Sequence, residues 1–243
     1  MTALPGWTRS EFTADGVTHP TYRRGEGPGV VVIHEIPGIT PQALAFAEEV
    51  VDQGHTVVMP HLFGTPNTKV GPRSMAQAAR QICVSREFLR MAKGTTTPVA
   101  IWLRALARDL HAELGGPGVG AVGMCFTGGY ALAMLADAPI AAPVLAQPSA
   151  PFAVTPGRSR DLGLSPADLD AVKEKVSAGC QVLGLRYRND LAVGSRFDTL
   201  RDELGHNFIA VEFAGVKHST LTLHRQQKAV DRVLAFFKEK LAG

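Results

Sequence analysis

Val119–Leu135 reads VGAVGMCFTGGYALAML. An apolar run, Val119–Gly123, enters a turn centred on Cys125, and an apolar helical pattern, Phe126–Leu135, leaves it. A buried strand that turns at once into a buried helix is the repeating unit of a sheet covered on both faces. Outward from this segment the same alternation continues. Gly29–His34 (GVVVIH) is the strongest strand, a continuous β-branched run. Thr56–Met59, Ala142–Ala146, Gln181–Tyr187 and Phe208–Phe213 read as further strands, and Trp7–Thr13 and Pro20–Arg23 as an N-terminal hairpin. Between them lie helical patterns at Pro41–Gln53, Ser74–Met91, Pro98–Leu114, a helix from Ser165-Pro166 to Ser177, Ser195–Leu204 and Leu221–Leu241. Thr40 and Ser165 are N-caps with proline at the first helical position. Strands alternating with helices predict an α/β fold, a mostly parallel sheet of seven to eight strands flanked by helices on both faces. No proline- or glycine-rich linker divides the chain, so residues 1–243 are expected to form one domain.

Composition narrows the function. With 243 residues, 45% of them hydrophobic, the chain is not a disordered one. Its net charge of +3, from 25 basic and 22 acidic residues, is too small and scattered to argue for nucleic acid. The most apolar segment, Tyr130–Ala146, is broken by Asp137, Pro139 and Pro143, so no membrane span is expected. The first residues, MTALPGWTRS, lack the pattern of a signal peptide. Cys83, Cys125 and Cys180 cannot all pair and match no zinc spacing, which suggests free thiols in a reducing, cytoplasmic setting.

In such a sheet, chemistry gathers where strands end and helices begin. Gly123-Met124-Cys125-Phe126-Thr127-Gly128-Gly129 has the strand–turn–helix context of a nucleophile elbow. Small neighbours allow the tight turn, and the helix N-terminus favours a thiolate. The pattern G-x-S-x-G is altered, with cysteine as nucleophile and Thr127 in place of the second glycine. Alone, Cys125 reads equally as a small buried core residue. A nucleophile needs a base, and the base an orienting acid. Asp190 follows QVLGLRY, and His218 follows FIAVEF, giving the order nucleophile, acid, histidine. Singly, Asp190 could be a turn carboxylate and His218 a surface histidine; their joint placement argues for a triad.

The strand ending Ile33-His34-Glu35-Ile36-Pro37-Gly38 is followed by the loop that supplies one oxyanion donor, and the residue after the nucleophile supplies the other. This nominates the amides of Ile36 and Phe126. Glu35, an acid at a buried strand end, needs a partner or a purpose, whether a structural bond to an arginine or a catalytic role. Asp198 and Asp202 are expected in solvent. His206 and His224 are placed at a helix end and one turn into the last helix. His19, His55 and His111 are placed on loops or helix surface, and His61 at the mouth of the site. Phe63 and Phe126 read as pocket lining or packing, and Cys83 and Cys180 as core.

These segments resemble the dienelactone hydrolase family of α/β-hydrolases. VIHEIPG, Val32–Gly38, is similar to its HEI-x-G signature, and GMCF to its G-x-C-x-G segment. Asp190 before a Val-Gly pair and His218-Ser219 are similar to its acid and histidine. The similarity runs from about residue 20 to the C-terminus. The resemblance implies a Cys125–His218–Asp190 triad, a glutamate (Glu35) that contacts the resting thiol, an acyl-enzyme, hydrolysis of a small ester or lactone, and no metal or cofactor. The family's substrate-binding arginines are not matched in place. Thr222 stands four residues after the histidine, with Arg225 three further on. Arg80, Arg86 and Arg90 lie before the elbow, and Arg86 is the preferred substrate contact. Pro72–Thr97 is expected to build a different lid. A small-molecule-binding protein of the same fold, and an acyltransferase or thioesterase, are the alternatives. The oligomeric state is left open.

Overall fold

Val30 and Val32 face one side of the sheet, and Val31 and Ile33 the other, because side chains alternate along a strand. Both faces are covered, which is why the run is β-branched throughout. The structure, a computed structural model, describes residues 4–85, 88 and 94–242. Its strands are β1 (Thr8–Ala14), β2 (Val17–Arg24), β3 (Gly29–Ile33), β4 (Thr56–Pro60), β5 (Val119–Met124), β6 (Ile140–Ala146), β7 (Val182–Tyr187) and β8 (Phe208–Phe213). They form one sheet in the order β1-β2-β4-β3-β5-β6-β7-β8. β2 runs antiparallel to both neighbours, and the pairs from β4 to β8 are parallel.

The helices are α1 (Pro41–Asp52), α2 (Pro72–Val84), α3 (Pro98–Leu114), α4 (Tyr130–Leu135), α5 (Pro156–Ser159), α6 (Pro166–Ser177), α7 (Arg196–Leu204) and α8 (Gln227–Leu241). α1 and α8 cover one face through Phe46, Val50, Val233 and Phe237. α2, α3, α4, α6 and α7 cover the other, with Trp102, Leu103, Leu132 and Phe197 in its core. The caps behave as the sequence indicates. Thr40 accepts from the Ala43 amide, and Ser165 from that of Asp168.

Several expectations are corrected. The N-terminal strands extend to a two-residue turn at Asp15-Gly16, both with positive φ, as a tight hairpin requires. α5 was not expected. The last helix starts at Gln227 rather than Leu221. The hydroxyl and amide of Thr220 are drawn to Gln147 and the hydroxyl of Thr222 to Glu35, and residues 220–224 form turns instead. Cys83 is exposed, not core, because α2 buries Ser74, Ala78 and Ile82 and leaves Cys83 round the side. Cys180 is half-buried just before β7. His19 lies on β2 against Trp102, ring centroids 5.0 Å apart, and His55 at the start of β4; both are buried rather than on the surface. Arg86 and Arg90 lie outside the described residues. Among the described residues no helix is long and apolar enough to cross a membrane. A mostly parallel sheet with an antiparallel second strand and helices on both faces is the α/β-hydrolase arrangement.

Candidate active site

β5 ends at Met124, and the chain reverses over Cys125 into a single 3-10 turn, Cys125–Thr127, before α4. Cys125 has φ 57°, a left-handed conformation unusual for a residue with a side chain. The turn is closed by contacts that admit no bulk. A Cβ on Gly123 would lie 2.1 Å from the Thr127 carbonyl oxygen, and one on Gly128 2.5 Å from Pro148 Cα. Thr127 has its own use where the usual pattern has glycine. Its hydroxyl accepts from the Met124 amide at 3.0 Å, and its one proton has the carbonyls of Ile33, His34 and Met124 within reach at 3.0–3.1 Å. It therefore ties the end of β5 to the end of β3.

The structure brings three of the predicted residues together. His218 Nδ1 lies 2.6 Å from Asp190 Oδ2. Asp190 is buried, and its other oxygen accepts from the Ala192 amide at 3.0 Å, which fixes the carboxylate. Burial disfavours the charged His218. Its hydrogen bonds with Asp190 and Cys125, and the charges of both, outweigh that and push its pKa up to about 10. Cys125, half-buried, also meets Ser149, whose hydroxyl lies 3.4 Å from the sulfur.

Glu35 is buried at the end of β3 and accepts from Ser219 Oγ at 2.8 Å and from Thr222 Oγ1. Burial raises its pKa, while the Thr222 and Ser219 bonds, the His218 charge and the Gln147 amide oppose the rise. No hydrogen bond joins it to an arginine or to Cys125 among the described residues. The expected arginine partner is replaced by two hydroxyls, one of them from the Thr222 that follows His218 by four residues. Arg225 is turned away and pairs with Glu49 through two 2.7 Å bonds. Arg80 is exposed on α2, and the position of Arg86, the preferred substrate contact, falls outside the described residues.

His34 donates from Nδ1 to the Glu35 carbonyl at 3.1 Å and accepts at Nε2 from the Leu62 amide at 3.1 Å. This fixes its neutral form. Burial, with the nearby His61, pushes its pKa down to about 3. The ring braces the loop that carries Ile36, which is closed by the Gly38 amide bonding to the Glu35 carbonyl at 2.8 Å. Phe126 packs edge-on against Phe63 and Phe88, with centroids 5.9 and 5.7 Å away. Phe126 also lines a small pocket with Thr95, Thr97, Tyr130, Ala150 and Leu162. So Phe63 is packing, and Phe126 both packs and lines. His61 stacks toward His34 and Tyr22, at 6.0 and 6.5 Å. Among the described residues no cluster of three or more histidines, cysteines or acids could hold a metal ion.

The sequence reading passed over Gln147 and Ser149, and named Ser219 and Thr222 only by their places near His218, with no role for either. A signal existed for Ser149. It lies three residues past the end of β6, a strand end between the elbow and the acid.

The arrangement was compared with known proteins. No curated protein sequence matches the chain. Among solved structures, a dienelactone hydrolase-like promiscuous phosphotriesterase from metagenomic libraries is similar over 97% of this chain and 98% of its own, with 17% identity and a TM-score of 0.67. A dienelactone hydrolase from Anabaena variabilis is similar over the same shares, with 17% identity and a TM-score of 0.65. A cold-adapted esterase from an Arctic intertidal metagenomic library is similar over 99% and 97%, with 17% identity and a TM-score of 0.64. At such identity these likenesses establish the α/β-hydrolase fold. The family profile goes further, for it matches residues 16–162, more than half of the sequence: the chain belongs to the dienelactone hydrolase family.

Proposed function

We propose that the protein is a cysteine-dependent hydrolase of small esters or lactones that works through an acyl-enzyme on Cys125. The observation that carries this reading is the 2.6 Å His218–Asp190 pair, coupled through His218 to a cysteine held on a left-handed turn. Asp190 holds the imidazole with Nδ1–H toward itself, which leaves Nε2 for the sulfur. The proton that Cys125 and His218 share rests on Nε2, and the sulfur attacks the carbonyl carbon. As the C–S bond forms, the carbonyl π pair moves to oxygen, which the Ile36 and Phe126 amides receive. Losing one such donor typically costs about 3 kcal/mol of barrier. Collapse breaks the C–O bond, and the departing alkoxide takes the proton from His218. With a lactone that alkoxide stays attached to the acyl group. Water then gives a proton to His218 and attacks the thioester. The C–S bond breaks, the acid leaves, and the sulfur shares the proton with His218 again.

In this scheme Glu35 acts through others. Through Ser219 and Thr222 it anchors the loop that carries His218 to the end of β3. The test is Cys125→Ala with a p-nitrophenyl ester. Hydrolysis is expected to fall by about 10³-fold or more with the circular dichroism spectrum unchanged. Undiminished turnover would reject the proposal.

A further inference from the structure

Resting on that reading, we infer that Ser149 is a further catalytic residue, one whose hydroxyl holds the Cys125 sulfur in its anionic form. Three observations carry it. The Ser149 hydroxyl lies 3.4 Å from Sγ, within the range of a hydrogen bond to sulfur. The residue is buried at 2% exposure, so water does not compete freely for that hydroxyl. The Ser149 amide also donates to the Cys125 carbonyl at 3.0 Å, so both ends of the serine are keyed to the same residue. The preceding loop is pinned too, through the bond from the Gln147 amide to the Leu185 carbonyl at 2.7 Å.

The chemistry follows from which atom can donate. With a neutral thiol, either group can give the proton. With a thiolate, only the hydroxyl can, and a hydrogen bond to a charged acceptor is stronger than one to a neutral acceptor. In the acyl-enzyme the thioester sulfur is a poor acceptor, and the bond weakens. It returns as the C–S bond breaks and charge comes back to sulfur. Ser149 thus favours the attacking thiolate and the departing one. Glu35 is committed to Ser219 and Thr222, which leaves the hydroxyl as an uncharged partner of the sulfur beside His218.

The test is alkylation of the intact protein by iodoacetamide across a pH series, resolved by peptide mass spectrometry so that exposed Cys83 serves as the internal control. In Ser149→Ala, Cys125 labelling at pH 7 is expected to slow about tenfold. Its rate–pH curve should move to higher pH, Cys83 labelling should stay unchanged, and ester turnover should fall by a similar factor. Ser149→Gly, which removes the same hydroxyl, is expected to match it and substitutes for it if the alanine variant does not fold. A Cys125 curve identical to that of the parent, while Cys125→Ala still abolishes hydrolysis, overturns this inference and leaves the proposed function standing. Hydrolysis that survives in Cys125→Ala overturns both.

Discussion

Cys125 sits on the elbow with φ 57°, a conformation that carries local strain. The polar residues around it can be told apart by their electrostatics. His218 has a folded pKa of about 10, above its ordinary 6.5, so the stability it contributes is complete below 6.5 and lost as pH rises through about 10. Asp190 is the largest favourable cause. In Asp190→Asn the melting temperature should therefore decline less between pH 7 and 10 than in the parent, and ester turnover should fall about 10²-fold or more. Parallel melting curves would show that the pair is not coupled to folding. Glu35 has the same sign, since burial raises its value. Its contribution is present below the ordinary 4.5 and lost as pH rises through the folded value. Glu35→Gln, which keeps one oxygen to accept from one of the two hydroxyls and turns an NH2 donor toward the other, should flatten that part of the melting profile, as read by calorimetry above pH 4.5. A profile as steep as the parent's would contradict the assignment.

At the scale of the element, strand ends were legible and turns were not. β3, β5, β7 and β8 are apolar runs whose length and branching name them, and each carries a candidate site residue past its end. Residues 221–226, the turn ahead of α8, were expected to be helical because no glycine or proline separates them from that helix. What decides it is polar and long-range: Thr220 bonds to Gln147 and Thr222 to Glu35, contacts no local pattern encodes. Thr127 is a similar case. As a departure from glycine it reads as a weakness of the motif, yet its hydroxyl joins β5 to β3. Thr127→Val keeps the shape and removes that junction. It should cost about 1–3 kcal/mol in urea unfolding, because it leaves the Met124 amide without its partner. A cost below a few tenths would show that the hydroxyl is dispensable.

Across the whole molecule, two features stand out that neither strands nor motifs announce. One is Arg196, buried on α7. It donates to the carbonyls of Pro151, Arg158, Asp161, Ala192 and Val193, so it clamps the loop after Asp190 to the loop that follows Ser149. The sequence could not reveal it, because a surface arginine at a helix start looks the same. The other is a set of histidines shielded from water, two of them buried and His61 half-buried. His34, His55 and His61 all have lowered pKa values, chiefly from burial. Groups of that sign stabilise the fold above about pH 6.5 and lose the contribution as pH falls through their folded values, about 3 for His34. The melting temperature should drop steadily below pH 6.5, and less steeply in His34→Gln. An acid limb unaltered by that change would assign the loss to the carboxylates instead.

The central claim is that Cys125 forms the covalent intermediate, and rapid-quench mass spectrometry with p-nitrophenyl acetate tests it most directly. During turnover the peptide containing Cys125 should gain one acetyl group, which then decays as acetate is released, and Cys125→Ala should show none. Full turnover with that peptide unmodified at every quench time, or acetyl found on another residue at the turnover rate, would contradict it.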